Sequence, residues 1–229
     1  MVQEERLTLV SVYLVTGYKG AIGSFMCERL AVLGHTVIRF GRAELASVTA
    51  ATNALAHHPD PDVAFHFAAD ADVRKSFDEP IETFRNNAGC TAILLEALRA
   101  LHLGPCVVLA STPEVYGAKA YGATTDFNST PRPFREDDPL RPANPYAASK
   151  AAQEALVHAY GQAYGVPYVI TRAGSYINPR RPDLALSAFA RQIVDAERRG
   201  DHLVLRHGNL DSVRPWCDAR DIVEAYLLA

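Results

Sequence analysis

Residues Thr16-Gly-Tyr-Lys-Gly-Ala-Ile-Gly23 narrow most sharply what this chain can fold into. They follow the apolar run Leu9 to Val15 and precede a helical pattern through Leu33, so three glycines stand between a strand and a helix. Gly17 permits a sharp strand-to-helix turn, Gly20 lets backbone approach a pyrophosphate, and Gly23 lets helix pack close to strand. The helix N-terminus, at Ala21 and Ile22, then faces an anion. A G-x-x-G-x-x-G alone is also compatible with a plain tight turn. Its place between strand and helix favours a dinucleotide.

The rest of the chain repeats that alternation. Strands are expected at Leu9 to Val15, Thr36 to Phe40, Val63 to Phe67, Cys106 to Ala110 and Tyr168 to Thr171, and helices near Ala21 to Leu33, Val48 to His57, Glu82 to Leu101 and Tyr146 to Tyr164. Gly34, Gly104 and Gly165 follow helices, where a left-handed residue ends them. Parallel strands joined by crossover helices make a doubly wound α/β (Rossmann) sheet. Residues 117–144 break the pattern with Gly, Pro, Thr, Asn and charge, as a functional loop does. After Thr171 the character changes: an arginine-rich loop Asn178-Pro-Arg-Arg-Pro182, a helix to about Arg199, a short strand Leu203 to Arg206, and a helical start from Asp218. The expected organisation is a dinucleotide-binding domain over 1–172 and a small, truncated substrate lobe over 173–229. In that lobe Ile222, Val223, Tyr226 and Leu227 form an apolar stripe with no following element to cover it.

Composition excludes several classes. A net charge of -3 offers no footprint for nucleic acid or an anionic membrane. Cys27, Cys90, Cys106 and Cys217 have no metal spacing and read as buried free thiols of a reducing compartment. No leader and no long apolar run is present, so a cytoplasmic protein is expected.

Chemistry concentrates in two places. Tyr146 and Lys150, four apart on a helix, share one face. An ammonium beside a phenol stabilises the phenolate, so the pair can exchange a proton with a sugar hydroxyl; a solvated helix face is the bland alternative. Ala110-Ser-Thr-Pro-Glu-Val-Tyr-Gly117 follows the fourth strand at the sheet edge where ligands sit. Thr112 can bond a substrate hydroxyl and Glu114 can act as a second acid/base, or both can satisfy the loop itself. On the second strand, Ile38-Arg-Phe-Gly-Arg42 has no acid for an adenosine ribose until Glu44. Arg39 or Arg42 can accept a 2'-phosphate or stand as solvated charges, and NADP is favoured over NAD.

The combination of Thr16-Gly-x-x-Gly-x-x-Gly23, His66-Phe-Ala-Ala69, Ser111-Thr-Pro-Glu-Val-Tyr-Gly117 and Tyr146-x-x-x-Lys150 resembles the extended short-chain dehydrogenase/reductases that modify nucleotide sugars. Ser187 to Ile193, Gly208 to Trp216 and Asp218-Ala-Arg-Asp221 are most similar to GDP-mannose 4,6-dehydratases and GDP-4-keto-6-deoxymannose reductases. The resemblance implies that Tyr146 is the proton-transfer base, that Lys150 binds the nicotinamide ribose and depresses the tyrosine, and that Thr112 completes the triad on the sugar 4-hydroxyl. It places Ala68 and Ala69 beside the cofactor, Glu114 as the residue that handles a proton or orients the sugar, and Ser175, Arg180 and Arg214 on the nucleotide-sugar substrate. It implies a homodimer through the helices of Glu82 to Leu101 and Tyr146 to Tyr164, with Ala88, Ala92, Ala97, Ala147, Ala151 and Ala155 in close approach. Three departures qualify it: Pro113 where dehydratases place a polar group, Ser175 in place of the Asn of R-x-x-N, and Asn178 in place of a Gly. A nucleotide-sugar 4-epimerase and a non-catalytic cofactor-binding remnant are the competing expectations.

Overall fold

A computed structural model describes residues 10–117, 133–208, 210 and 215–229 of the chain. Five strands, β1 (Val12–Thr16), β2 (Thr36–Phe40), β3 (Val63–His66), β4 (Cys106–Ala110) and β5 (Tyr168–Thr171), form one parallel sheet in the order β2-β1-β3-β4-β5. The strands are apolar because both faces are covered. On one face α2 (Val48–Leu55), α5 (Cys90–Ala100) and α6 (Pro145–Tyr164) enclose Leu14, Leu109, Leu94, Leu98 and Val157. On the other, α1 (Ala21–Val32) and α8 (Ala219–Leu228) enclose Val15, Phe65, Met26, Leu30, Val223 and Tyr226. The chain leaves β1 toward β2 and returns to β3 on the opposite side, so the carboxyl ends of β1 and β3 splay their connections apart and open a crevice.

All five sheet strands lie close to where the sequence puts them: β1 starts at Val12 and ends at Thr16, one residue past the expected Val15, and β3 ends one residue early; Leu9 lies outside the described residues, while Val10 and Ser11 are not in the strand. The single helix expected over Glu82 to Leu101 is three pieces: α4 (Pro80–Phe84), one π turn (Arg85–Gly89) and α5. The wider turn is held by tertiary bonds, since the Asn87 carbonyl accepts from Thr91 Oγ1 at 3.0 Å and from Gln153 Nε2 at 3.2 Å. An unanticipated α3 (Val73–Asp78) starts at Asp72, whose carboxylate accepts from the Arg74 and Lys75 amides.

The C-terminal segment departs further from expectation. Leu203 to Arg206 is not a strand: the Arg206 amide donates to Gln192 Oε1 at 2.8 Å and its carbonyl accepts from Gln192 Nε2 at 3.0 Å, so a side chain of α7 (Ala185–Arg199) stands where a partner strand would. The strands actually formed are β6 (Ser175–Ile177) and β7 (Trp216–Asp218), paired in parallel. The stripe on α8 is covered. Val223 and Tyr226 are buried, Tyr226 meets Phe67 edge-on at 5.0 Å, and Arg29 pairs with Glu224. The helix therefore completes the sheet's second face, a long-range contact that its own periodicity does not name. Of the four free cysteines Cys27 is buried, Cys90 and Cys106 are half-buried, and Cys217 on β7 is exposed, against the expectation of buried thiols throughout. No described helix is long and apolar enough to cross a membrane.

Candidate active site

The glycine turn meets β3 at the crevice. Gly17 has φ +65°, and a Cβ there would lie 2.8 Å from the Ala68 amide nitrogen; a Cβ on Gly23 would lie 2.3 Å from the Gly17 carbonyl oxygen. Only a side-chain-free turn fits both. Gly20 starts α1 with no side-chain cap and no acid in the first turn, so the first amides, from Ala21 onward, are open to an anionic oxygen. Ile22 and Gly23 are buried against the sheet and offer backbone only. At the end of β2, Arg39 and Arg42 are exposed. Arg39 reaches the Cys27 thiol, whose pKa burial raises and Arg39 partly restores. Glu44 turns back to accept from the Gly41 amide at 2.7 Å. The nearest acid is thus committed to its own loop.

The floor of the crevice, Ala68 and Ala69, is held by a buried relay. Thr16 Oγ1 accepts from the Ala68 amide at 3.1 Å and lies 2.8 Å from His66 Nδ1, while His66 Nε2 lies 2.8 Å from Thr91 Oγ1. Because Thr91 donates to the Asn87 carbonyl, His66 must donate from Nε2 and accept at Nδ1. Burial, with Lys150 nearby, lowers the His66 pKa to about 3, so the imidazole is neutral. Asn87 adds a second clamp: its Oδ1 accepts from the Asp70 amide at 2.6 Å, and its Nδ2 donates to the Asp70 carbonyl at 3.1 Å and to Ser149 at 2.8 Å.

Across the crevice stands α6. Asn144 caps it, accepting from the Ala147 amide at 2.7 Å, and Pro145 occupies the first turn, where its missing N–H has no cost. Tyr146 is half-buried and Lys150 is buried one turn later on the same face. Lys150 Nζ donates to the Ala110 carbonyl at the end of β4. Burial pushes its pKa down to about 8, with Cys90 and Glu154 acting in the opposite direction. Thr112 Oγ1 accepts from the Glu114 amide at 3.3 Å and starts the short 3-10 turn Pro113–Tyr116, which packs on α6. The same Asn144 that caps α6 donates from Nδ2 to Glu114 Oε2 at 3.1 Å. Thr112, Glu114, Tyr146 and Lys150 are thereby brought to one edge of the sheet.

The expected substrate residues are not gathered in the same way. Ser175 is half-buried on β6. Arg180 is turned onto α1: it donates to Ser24 Oγ at 2.6 Å and to both Glu28 oxygens at 2.7 and 2.8 Å, and its guanidinium lies 3.7 Å from the Phe25 ring centroid. Arg214 lies outside the described residues. Sequence reading passed over Asn87, Asn144, Glu154 and Arg172, polar residues whose partners are distant in the chain. Glu154 carried a signal, four residues beyond Lys150 on the same face, and Arg172 carried one as the arginine of R-x-x-N.

The profile of the family described as NAD dependent epimerase/dehydratase matches residues 13–229. The chain belongs to that family. Among epimerase/dehydratase relatives, a trifunctional UDP-glucose 4,6-dehydratase/3,5-epimerase/reductase of Arabidopsis thaliana is 34% identical over 72% of this chain and 23% of its own length. GDP-6-deoxy-D-mannose reductase of Pseudomonas aeruginosa is 31% identical over 73% of this chain and 53% of its own. The chain thus spans about a quarter and about half of these curated relatives. The structure of RMD from Pseudomonas aeruginosa complexed with NADPH superposes with a TM-score of 0.83 at 27% identity, over 95% of this chain and 71% of that one. A UDP-glucose 4-epimerase from Thermus thermophilus complexed with NAD gives 0.77 at 29%, over 95% and 74%. These matches establish a nicotinamide-dependent enzyme family that acts on nucleotide sugars, with the doubly wound fold described above. The uncapped α1 terminus and the side-chain-free turn fit the pyrophosphate of such a cofactor.

Proposed function

We propose that this epimerase/dehydratase family member is an NADP-dependent enzyme of the dehydratase/reductase type that acts at C4 of a nucleotide-linked hexose, with a GDP-hexose as the first candidate. The observation that carries the proposal is the bridge through Asn144, which ties Glu114 to the start of the helix bearing Tyr146 and Lys150. The nicotinamide, when bound, supplies the hydride chemistry. Tyr146 takes or returns the proton of the sugar 4-hydroxyl at its phenol oxygen. Lys150 lends that phenol a positive charge and serves the nicotinamide ribose from a site that excludes water. Thr112 orients the sugar hydroxyl, and Glu114 handles a second proton. On the lobe, Ser175 and Arg214 contact the substrate; Arg180, engaged with Glu28, acts through its hold on α1.

The end of β2 supports NADP as the cofactor, since Arg42 is exposed there and Glu44 is occupied with Gly41. Pro113 favours a second reading, a 4-epimerase, because it places no polar group between Thr112 and Glu114 to assist departure of water. A homodimer is proposed through the groove of small residues between the α4–α5 segment and α6. Phe84, Ala88, Ala92, Ala152 and Ala155 line that groove, and Phe77 and Ile81 stand exposed beside it. Ala97 and Ala147 are fully buried in the protomer and take no part.

The test is to incubate the protein and NADP with GDP-, UDP- and dTDP-hexoses and follow reduced nicotinamide and 4-keto product. Product with a GDP-hexose supports the proposal, sugar inversion without keto product supports the epimerase, and no reaction despite cofactor binding supports a non-catalytic cofactor carrier. Light scattering at micromolar concentration decides the dimer.

A further inference from the structure

The segment that carries Thr112 and Glu114 is attached to the body of the protein by a buried charge cluster distinct from the Asn144 bridge. Glu154, two turns beyond Tyr146 on α6, is almost wholly buried. Its Oε1 accepts from Ser111 Oγ and from Arg172 Nε at 3.0 Å, and its Oε2 accepts from Arg172 at 2.7 Å. Arg172, just past β5, has one further nitrogen, which donates to the Tyr116 hydroxyl at 2.6 Å and to the Glu136 carbonyl at 3.1 Å. Its guanidinium also lies 4.9 Å from the Tyr116 ring centroid, and Glu154 holds its pKa above the ordinary range. Ser111 and Tyr116 bracket the turn Thr112 to Val115. The cluster therefore grips both ends of that turn from one helix and one strand end.

We infer that Glu154 is a positioning residue: with its carboxylate clamped by Arg172, it fixes Ser111 and so holds Thr112 and Glu114 in register with Tyr146 and Lys150 on its own helix. The inference rests on the proposed roles of those four residues. A neutral polar side chain could cap Ser111, but only an anion both accepts from Ser111 and anchors the forked arginine that secures Tyr116. Removing either charge leaves the other without its counter-charge in a largely buried place.

The same carboxylate faces Lys150 one turn away. The other titratable groups around that ammonium are the Cys90 thiol from α5, the neutral His66 from β3 and Tyr146 from α6, with the Ala110 carbonyl from β4. Burial raises the Cys90 pKa to about 11, so that thiol stays protonated at neutral pH, and the carboxylate among the groups near Lys150 is Glu154, paired with Arg172. Its charge helps to keep Lys150 protonated. A neutral amide in its place would withdraw that support.

Two readouts test this. The chain has four lysines, Lys19, Lys75, Lys119 and Lys150, so side-chain NMR can follow Lys150 between about pH 6 and 10 in the resting protein. Glu154→Gln is expected to lower the Lys150 midpoint, while Ser111→Ala leaves it in place and shifts the Thr112 and Glu114 amide resonances. With an active nucleotide sugar, both variants are expected to lose about tenfold or more in kcat at unchanged cofactor affinity, and Ser111→Thr to recover most of it. An unmoved Lys150 midpoint in Glu154→Gln would overturn the inference, as would unshifted Thr112 and Glu114 amides in Ser111→Ala. Should Glu154→Gln fail to fold, Ser111→Ala decides alone, because it leaves the ion pair intact. Inactivity of the unaltered protein on every nucleotide sugar would refute the substrate proposal only, and the resonance measurements would still decide the role of Glu154.

Discussion

The crevice at the glycine turn and the C-terminal segment are built on opposite principles. In the crevice, glycine stereochemistry at Gly17 and Gly23 and the buried relay from Ala68 through His66 to Asn87 leave the backbone little freedom. In the lobe, β6 and β7 pair over three residues each, α7 buries only Ala196, and Arg180 holds on through a partly exposed ion pair and a ring contact. Buried, mutually satisfied polar groups fix a geometry; exposed charge pairs contribute little and are screened. The glycine turn and its relay are therefore preorganised, whereas the C-terminal segment is attached more loosely.

That contrast can be broken most directly at the glycine turn. Gly20→Glu is expected to abolish dinucleotide binding with the fold retained: a Cβ there meets only the Gly17 carbonyl, at 3.0 Å, while the carboxylate enters the anion site at the start of α1. Calorimetric titration reads it, and unchanged affinity would remove the turn from the cofactor site. Tyr146→Phe is next, with turnover lower by at least about a hundredfold and cofactor affinity nearly unchanged; Lys150→Met should lose both. Near-normal turnover in the phenylalanine variant would end the catalytic assignment. Arg42→Ala should weaken NADP binding by about tenfold and leave NAD alone, since one charge-assisted contact is lost only with the phosphorylated cofactor. Equal losses for both cofactors would show that Arg42 has no part in choosing between them.

A smaller effect sharpens the electrostatic side. The folded pKa of Lys150 is lowered to about 8 by burial, so its charge is present below that pH and is lost as pH rises through it. Cofactor affinity should therefore fall a few-fold above about pH 8, a loss absent from Lys150→Met. The smallest effect belongs to the lobe. Arg180→Ala should cost about 1 kcal/mol of stability in a denaturant titration and leave cofactor affinity unchanged, as suits an exposed pair with a ring contact. A large loss of cofactor affinity would show that the two regions are coupled far more tightly than their contacts suggest.

The parts legible in the sequence were written in local patterns, although not every local pattern held. Apolar runs of strand length located all five sheet strands, the spacing of Gly17, Gly20 and Gly23 located the turn between β1 and α1, and Tyr146 with Lys150 marked one face of α6, because each of these signals is complete within a few residues. Tertiary structure alone decided the rest. Asn87, Asn144, Glu154 and Arg172 look like ordinary surface polar residues until the fold sets their partners beside them, from 18 to 62 residues away in the pairings Arg172–Glu154 and Asn87–Ser149. The π turn at Asn87 depends on acceptance from Thr91 and Gln153, the strand expected at Leu203 to Arg206 was replaced by the side chain of Gln192, and the stripe on α8 found its cover on α1 and Phe67. Periodicity tells which side of an element is apolar. It does not tell which distant element meets that side, because that choice is made by the packing of the whole chain.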